Sequence, residues 1–236
     1  MRYSEIKEAS ERYRGVIEPN SRSSFGQEIT LQKPVMAYHA THEALGKVLT
    51  NREIKTYDSM GTYLTSNREM ATTMYGPNVE GYQIPPGRYL LARRDQDFWE
   101  LVLNCLPIIR DTVGKDAADH LSKYPLNGAN IKFMKDLRIE AKREAERQGE
   151  NSMEVAVLRW SQPDKVAKYR ALEKSREYYT RVCKSADYCK AYRALLEGSG
   201  LRGIIWNRRH WDSSPESQTI FLVFHQEDLH PISSTR

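Results

Sequence analysis

From about residue 96 to about residue 200 the apolar residues recur at helical intervals, whereas strand-like segments lie on both sides of that stretch. Phe98, Trp99, Leu101, Val102, Leu103 and Leu106 keep helical spacing, as do Ile131, Phe133, Met134, Leu137 and Ile139. Lys165 to Leu196 is a long charged helical run with Tyr169, Leu172, Tyr179, Val182 and Cys183 at its apolar positions. The strand-like pieces are Val35–Tyr38, Thr62–Thr65, Arg88–Ala92, Leu201–Asn207 and Thr219–Phe224. By that periodicity the helical stretch reads as an insertion of about a hundred residues between the two halves of a split sheet core. The expected fold is therefore α+β, a split mixed or antiparallel β-sheet core spanning 34–236 with a large helical insertion at about 96–200. A polar lead-in over 1–33 precedes it, with a short helix around Ile6 and Ala9 and then the serine-rich Ser21–Ser24.

The chain has 236 residues, enough for one substantial core without disulfides. Cys105, Cys183 and Cys189 are widely spaced, show no metal-ligand pattern with histidine and leave an odd thiol if two pair. They read as small buried apolar residues of a protein kept in a reducing cytosol. No run of eighteen apolar residues exists and Met1 to Glu5 lacks an apolar signal core, so neither a membrane span nor classical secretion is expected. A net charge of +5 favours an anionic partner, although 28% charged residues is ordinary usage. Arg93-Arg94, Lys142-Arg143 and Arg208-Arg209 read as solvated faces in place of a nucleic-acid track, although the first and last of them flank the expected cleft and could hold an anionic ligand or target there. The chain lacks a P-loop, Gly-x-Gly-x-x-Gly, His-Glu-x-x-His and Gly-x-Ser-x-Gly, which leaves nucleotide triphosphatase, Rossmann oxidoreductase, zincin and serine-hydrolase chemistry without local support. His39 and His42 are three apart, but a strand, turn and helix point their rings apart, so no metal site is expected.

Two segments share one design. Pro34 leads into the short apolar strand Val35 to Tyr38, and His39 stands at its end, followed by Ala40 and by Thr41, which can cap a helix carrying Leu45, Val48 and Leu49. Then Gly61 permits a sharp approach, Thr62 to Thr65 alternates as a strand, and Ser66 or Asn67 can cap a helix from Arg68 to Tyr75. A strand that turns into a helix folds back, so Tyr63 and Tyr75 can flank a flat heterocycle.

In these motifs the chain resembles the ADP-ribosyltransferases of the diphtheria-toxin and poly-ADP-ribose-polymerase type, labelled by a His, a Tyr and a Glu, Asp or Gln. The resemblance implies that His39 hydrogen-bonds a ribose hydroxyl of NAD, that Tyr63 and Tyr75 stack on the two faces of the nicotinamide, and that Thr72 binds its carboxamide. Ala40 stands where the family often has glycine, and its methyl narrows the pocket. Thr41 belongs to the same cofactor-binding segment. The stretch from Gln226 to Ile232 resembles the close of phage and mobile-element members. The third catalytic residue, at the start of the last strand, is Gln218 or Glu216; the first adjoins the strand and the second is the stronger anion.

The chemistry suits these groups. Cleaving the nicotinamide–ribose bond builds positive charge on the sugar, so the site must hold the ring still, place an electron-rich oxygen near the ribose and exclude water. The resemblance implies a cytoplasmic NAD-consuming mono-ADP-ribosyltransferase of phage or bacterial-effector type, acting on a protein, RNA or DNA target, in a host cytoplasm if delivered there. Two alternatives stand beside it. One is an inactive member of the fold that binds a partner through its helical insertion; the other is a basic helical nucleic-acid-binding protein.

Overall fold

The computed structural model describes residues 27–41, 54–92, 105–148, 161–208 and 218–232. The expected helix after Thr41, the run from Phe98 to Leu103, the lead-in up to residue 26, and Glu216 lie outside the described residues. The strands are β1 (Gln27–Leu31), β2 (Val35–Thr41), β3 (Thr62–Thr65), β4 (Asn78–Ile84), β5 (Gly87–Ala92), β6 (Leu201–Arg208), β7 (Gln218–Val223) and β8 (His230–Pro231). The helices are α1 (Arg68–Tyr75), α2 (Leu106–Thr112), α3 (Lys115–Lys123), α4 (Gly128–Gln148), α5 (Pro163–Cys183) and α6 (Ala186–Gly198).

All eight strands join one mixed sheet in the order β1-β5-β6-β7-β3-β2-β4-β8, in which β5 and β6 alone run parallel. The helical stretch from α2 to α6 separates those two, as a parallel crossover demands. Connectivity then forces a bend. β4 and β5 stand far apart in that order, about 24 Å across a flat sheet at the usual strand spacing. Only Pro85 and Pro86 join them, a link that reaches at most about 11 Å. Gln32, Lys33 and Pro34 tie β1 to β2 across the same interval. The corner falls between β2 and β3, which share the single register pair Tyr38 with Thr65 while β2 and β4 pair along their whole length.

The bend buries one face of the sheet against itself. Ala37, Tyr82 and Ile84 from one half form a cluster with Leu64, Tyr89, Ile205, Phe221 and Val223 from the other. Strand alternation sends Leu90, Ile204 and Leu222 to the opposite face, where Ile108, Ile109, Leu121, Leu195 and Leu196 of the helices cover them. Central strands buried on both faces need continuous apolar runs, which is why Gly203-Ile204-Ile205 and Ile220 to Phe224 read as they do. Gly61 and Gly203 flank β7 so closely that a Cβ on either would meet the backbone of Val223 or Leu222. A third cluster, Leu126, Met134, Leu137, Ala141, Tyr169 and Leu172, is built between α4 and α5, so the helical stretch carries a core of its own. Cys105 and Cys189 are buried thiols and Cys183 is half-buried, all three unbridged.

Four features differ from the sequence reading. β2 does not stop at Tyr38 but pairs with β4 through His39 and Ala40 to Thr41, so His39 lies within the strand and Thr41 is a strand residue opposite Asn78. The end of the polar lead-in is the edge strand β1, held by Ile29 and Leu31 on the inner face and by the Arg88–Glu28 ion pair. β4 was not anticipated. The run from Lys165 to Leu196 is two helices, because Ser185 stops the first and caps the second by accepting from the Tyr188 N–H at 3.2 Å. Among the described residues no helix is long and apolar enough to cross a membrane.

Candidate active site at the sheet corner

β2 brings His39 to the corner. Its Nδ1 lies 2.7 Å from the Tyr63 carbonyl, which can only accept, so Nδ1 carries the hydrogen and in the neutral ring Nε2 is left as the acceptor. Beyond the single register pair joining β2 to β3, the imidazole thus supplies a further tie between them. His39 and Tyr63 come together through that backbone oxygen. Their side chains part company: His39 alternates with Ala37 on the inner face, whereas the Tyr63 ring packs against the helical cluster on the other face. Tyr57, another member of that cluster, stacks on Tyr192 there with ring centroids 6.4 Å apart.

Directly across the ladder from His39 stands Glu80 of β4. Opposed residues in an antiparallel pair carry their Cβ atoms about 5 Å apart on the same face. Glu80 accepts the hydroxyl hydrogen of Tyr82, which is 3% exposed and packed in the inner cluster. Burial, then the hydrogen bond and charge of Glu80, push the Tyr82 hydroxyl well above its ordinary value, so it remains a donor. One step outward, Thr41 faces Asn78. The inner face of β2 and β4 therefore grades from Ala37 and Tyr82 to a polar end with His39, Glu80, Thr41 and Asn78. Motif reading did not find Glu80. The signal available was the alternation of Glu80, Tyr82 and Ile84 after Gly76, which marks a strand whose inner face begins with an acid.

The other named residues lie around this corner. Ala40 is 6% exposed and alternates to the face away from His39. The helix α1 packs on β2 and is capped by Asn67, whose side chain accepts from the Met70 N–H at 3.1 Å. Thr72 on that helix is exposed and its hydroxyl donates to the Arg68 carbonyl at 3.1 Å. Tyr75 ends the helix, and its side chain lies outside the description. β7 runs beside β3, so Gln218 starts the strand next to the tyrosine strand; Ser66 extends that pairing through its N–H to the Thr219 carbonyl at 2.9 Å. The Gln218 side chain is not described, nor are Arg93, Arg94 and Arg209.

At the far end of β7 a second polar group forms. Arg193 donates to Glu197 at 2.6 Å and to the Met60 carbonyl at 2.9 Å, and His225 stands between Glu197 at 3.2 Å and Glu227 at 3.1 Å. The Glu197 hydrogen bond raises the His225 pKa against the opposing pull of burial. Burial pushes Glu197 upward, yet His225 and Arg193 together hold it below its ordinary value. This network ties α6 to the end of β7 and to the turn before β3.

No family model, curated protein or solved structure matches the chain.

Proposed function

We propose that the protein is a mono-ADP-ribosyltransferase that uses NAD as substrate and builds its site at the sheet corner, within an α+β split-sheet core of that family's kind. The observation that carries the reading is the His39 clamp on the Tyr63 carbonyl, which ties the histidine motif to the tyrosine motif and leaves Nε2 to accept from a ribose hydroxyl. The strand order supports it as well, since β2, β3 and β7, the strands of the three motifs, are neighbours.

In the reaction the bond between ribose C1′ and the nicotinamide nitrogen breaks, and its electron pair leaves with neutral nicotinamide. Positive charge grows on the sugar, and a nucleophile of the acceptor then bonds to C1′ and gives up its proton. His39 holds the ribose in register. An acidic or amide side chain stabilises the charged sugar through its oxygen, and fixed groups of this kind lower a barrier because they need no reorganisation as charge develops. Gln218 and Glu216 are the motif-based choices; Glu80 is the carboxylate beside His39 by register. The acceptor is a protein or a nucleic acid.

The packing of the Tyr63 ring against the helical cluster favours a second reading, in which the same fold binds a partner without turnover. Titrating NAD against the melting temperature tests both. Binding stabilises the state that holds ligand, by about 2.7 kcal/mol at a hundredfold excess over Kd. A rising melting temperature supports the transferase; no change up to millimolar NAD contradicts it.

A further inference from the structure

An aromatic step crosses the junction of α3 and α5. The His120 ring lies 5.2 Å from the Tyr124 ring and 5.3 Å from the Tyr178 ring, centroid to centroid. His120 is fixed there because its Nε2–H donates to the Ala171 carbonyl at 2.9 Å. Cations rim the step. Lys123 Nζ sits 5.4 Å from the centre of Tyr124, while Lys174 Nζ and the Arg181 guanidinium sit 5.6 and 5.5 Å from the centre of Tyr178.

These cations differ from many others on the surface. Arg88, Arg110, Lys132, Arg138, Lys142, Arg147, Lys165, Arg176 and Arg202 each pair with a carboxylate. Lys123, Lys174 and Arg181 make no ion pair among the described residues. On α5 and its C-cap the exposed positions Arg170, Lys174, Glu177, Arg181 and Lys184, the last being the cap, follow a 4-3-4-3 spacing, which aligns them along one side of the helix. That row holds four cations and one acid and is about 21 Å long.

We propose that this surface binds single-stranded nucleic acid, with the phosphates along the α5 row and bases on Tyr124 and Tyr178. Two physical needs of such a ligand are met together: a track of positive charge for a backbone with regularly spaced anions, and beside it the half-buried rings of Tyr124 and Tyr178, each packed on a helical cluster and left part-exposed to a base. An acidic protein segment uses the first but not the second. The surface lies on the helical stretch, and binding there does not depend on the NAD reading.

The test is fluorescence anisotropy of a labelled uridine or thymidine oligonucleotide of about 15 nucleotides with the full chain and no NAD. The affinity should fall with salt along a log-log slope of about −2 to −3, the response of a single strand touching three or four cations. Lys174→Gln/Arg181→Gln should weaken binding at least tenfold at about 50 mM salt, and Tyr178→Ala at least fivefold. Lys132→Gln/Lys142→Gln removes the same charge from ion-paired sites on α4 and should change binding less than twofold, with circular dichroism confirming that each variant is folded. Absent binding, equal loss in the α4 control, or equal competition by polyglutamate would overturn the inference, the last pointing to an acidic protein instead. Failure of NAD to bind leaves this result unaffected.

Discussion

Three residues at the corner make distinct demands, Tyr82 and Glu80 on the inner face and Tyr63 with its ring on the other. Tyr82 is buried and gives its hydroxyl to Glu80, so Tyr82→Phe should cost about 1 kcal/mol, the net worth of one hydrogen bond, read from urea midpoints. Glu80→Gln keeps the shape of the side chain and removes its charge. If Glu80 faces the developing ribose cation, the substitution should lower nicotinamide release at least tenfold while the urea midpoint moves little. A normal rate in that variant would return the role to Gln218 or Glu216. Tyr63 behaves differently because its backbone and its ring serve separate ends. Tyr63→Ala retains the carbonyl that holds His39 but opens a gap beside the helical cluster, at a cost of about 2 kcal/mol, roughly half that of emptying a fully buried aromatic site.

Helix α6 owes its start to one hydroxyl, and Ser185→Ala should cost about 1 kcal/mol in a urea titration, as should Asn67→Ala at the start of α1. These caps were partly visible in the sequence. Asn67 was one of two candidates for α1, whose span from Arg68 to Tyr75 follows from its flanking residues. Ser185 passed unnoticed because the charged pattern continues through it, and the end of α5 at Val182 and the start of α6 at Tyr188 and Cys189 bury the same cluster, so no gap in apolar residues marks the break. The strands divide along similar lines. β5, β6 and β7 are apolar enough to be read directly, since they are buried on both faces or nearly so, and β3 is read from the alternation of Thr62 to Thr65. β1 and β4 are half-polar, with Glu28, Thr30, Asn78, Glu80 and Gln83, and their identity comes from the partners they pair with. That is also why Glu80 escaped the motif search. His39 and Tyr63 were legible as strand residues, but His39 lies within β2 and not at its end, and their rings go to opposite faces, which only the pairing and the two clusters reveal.

For the molecule as a whole, two short links hold the bent sheet and one ionic network locks the helical layer to it. The network makes stability pH-dependent. His225 has a raised folded-state pKa, so its contribution is fully present below its ordinary value of 6.5 and fades as pH rises through the higher folded value. Glu197 and Glu227 are depressed, so theirs is present above the ordinary 4.5 and fades as pH falls through the lower folded values. The urea midpoint should therefore be highest between those two limits, and His225→Asn should flatten its decline on the alkaline side. An unchanged alkaline decline in that variant would place its origin elsewhere. The central claim is that the corner cleaves NAD, and the most direct measurement is nicotinamide release by the purified protein beside folded His39→Ala. The wild type should release nicotinamide steadily and the variant should lose about a hundredfold or more, the scale of losing the placement of a reacting group. Release that is absent from the wild type, or equal in both proteins, would contradict it.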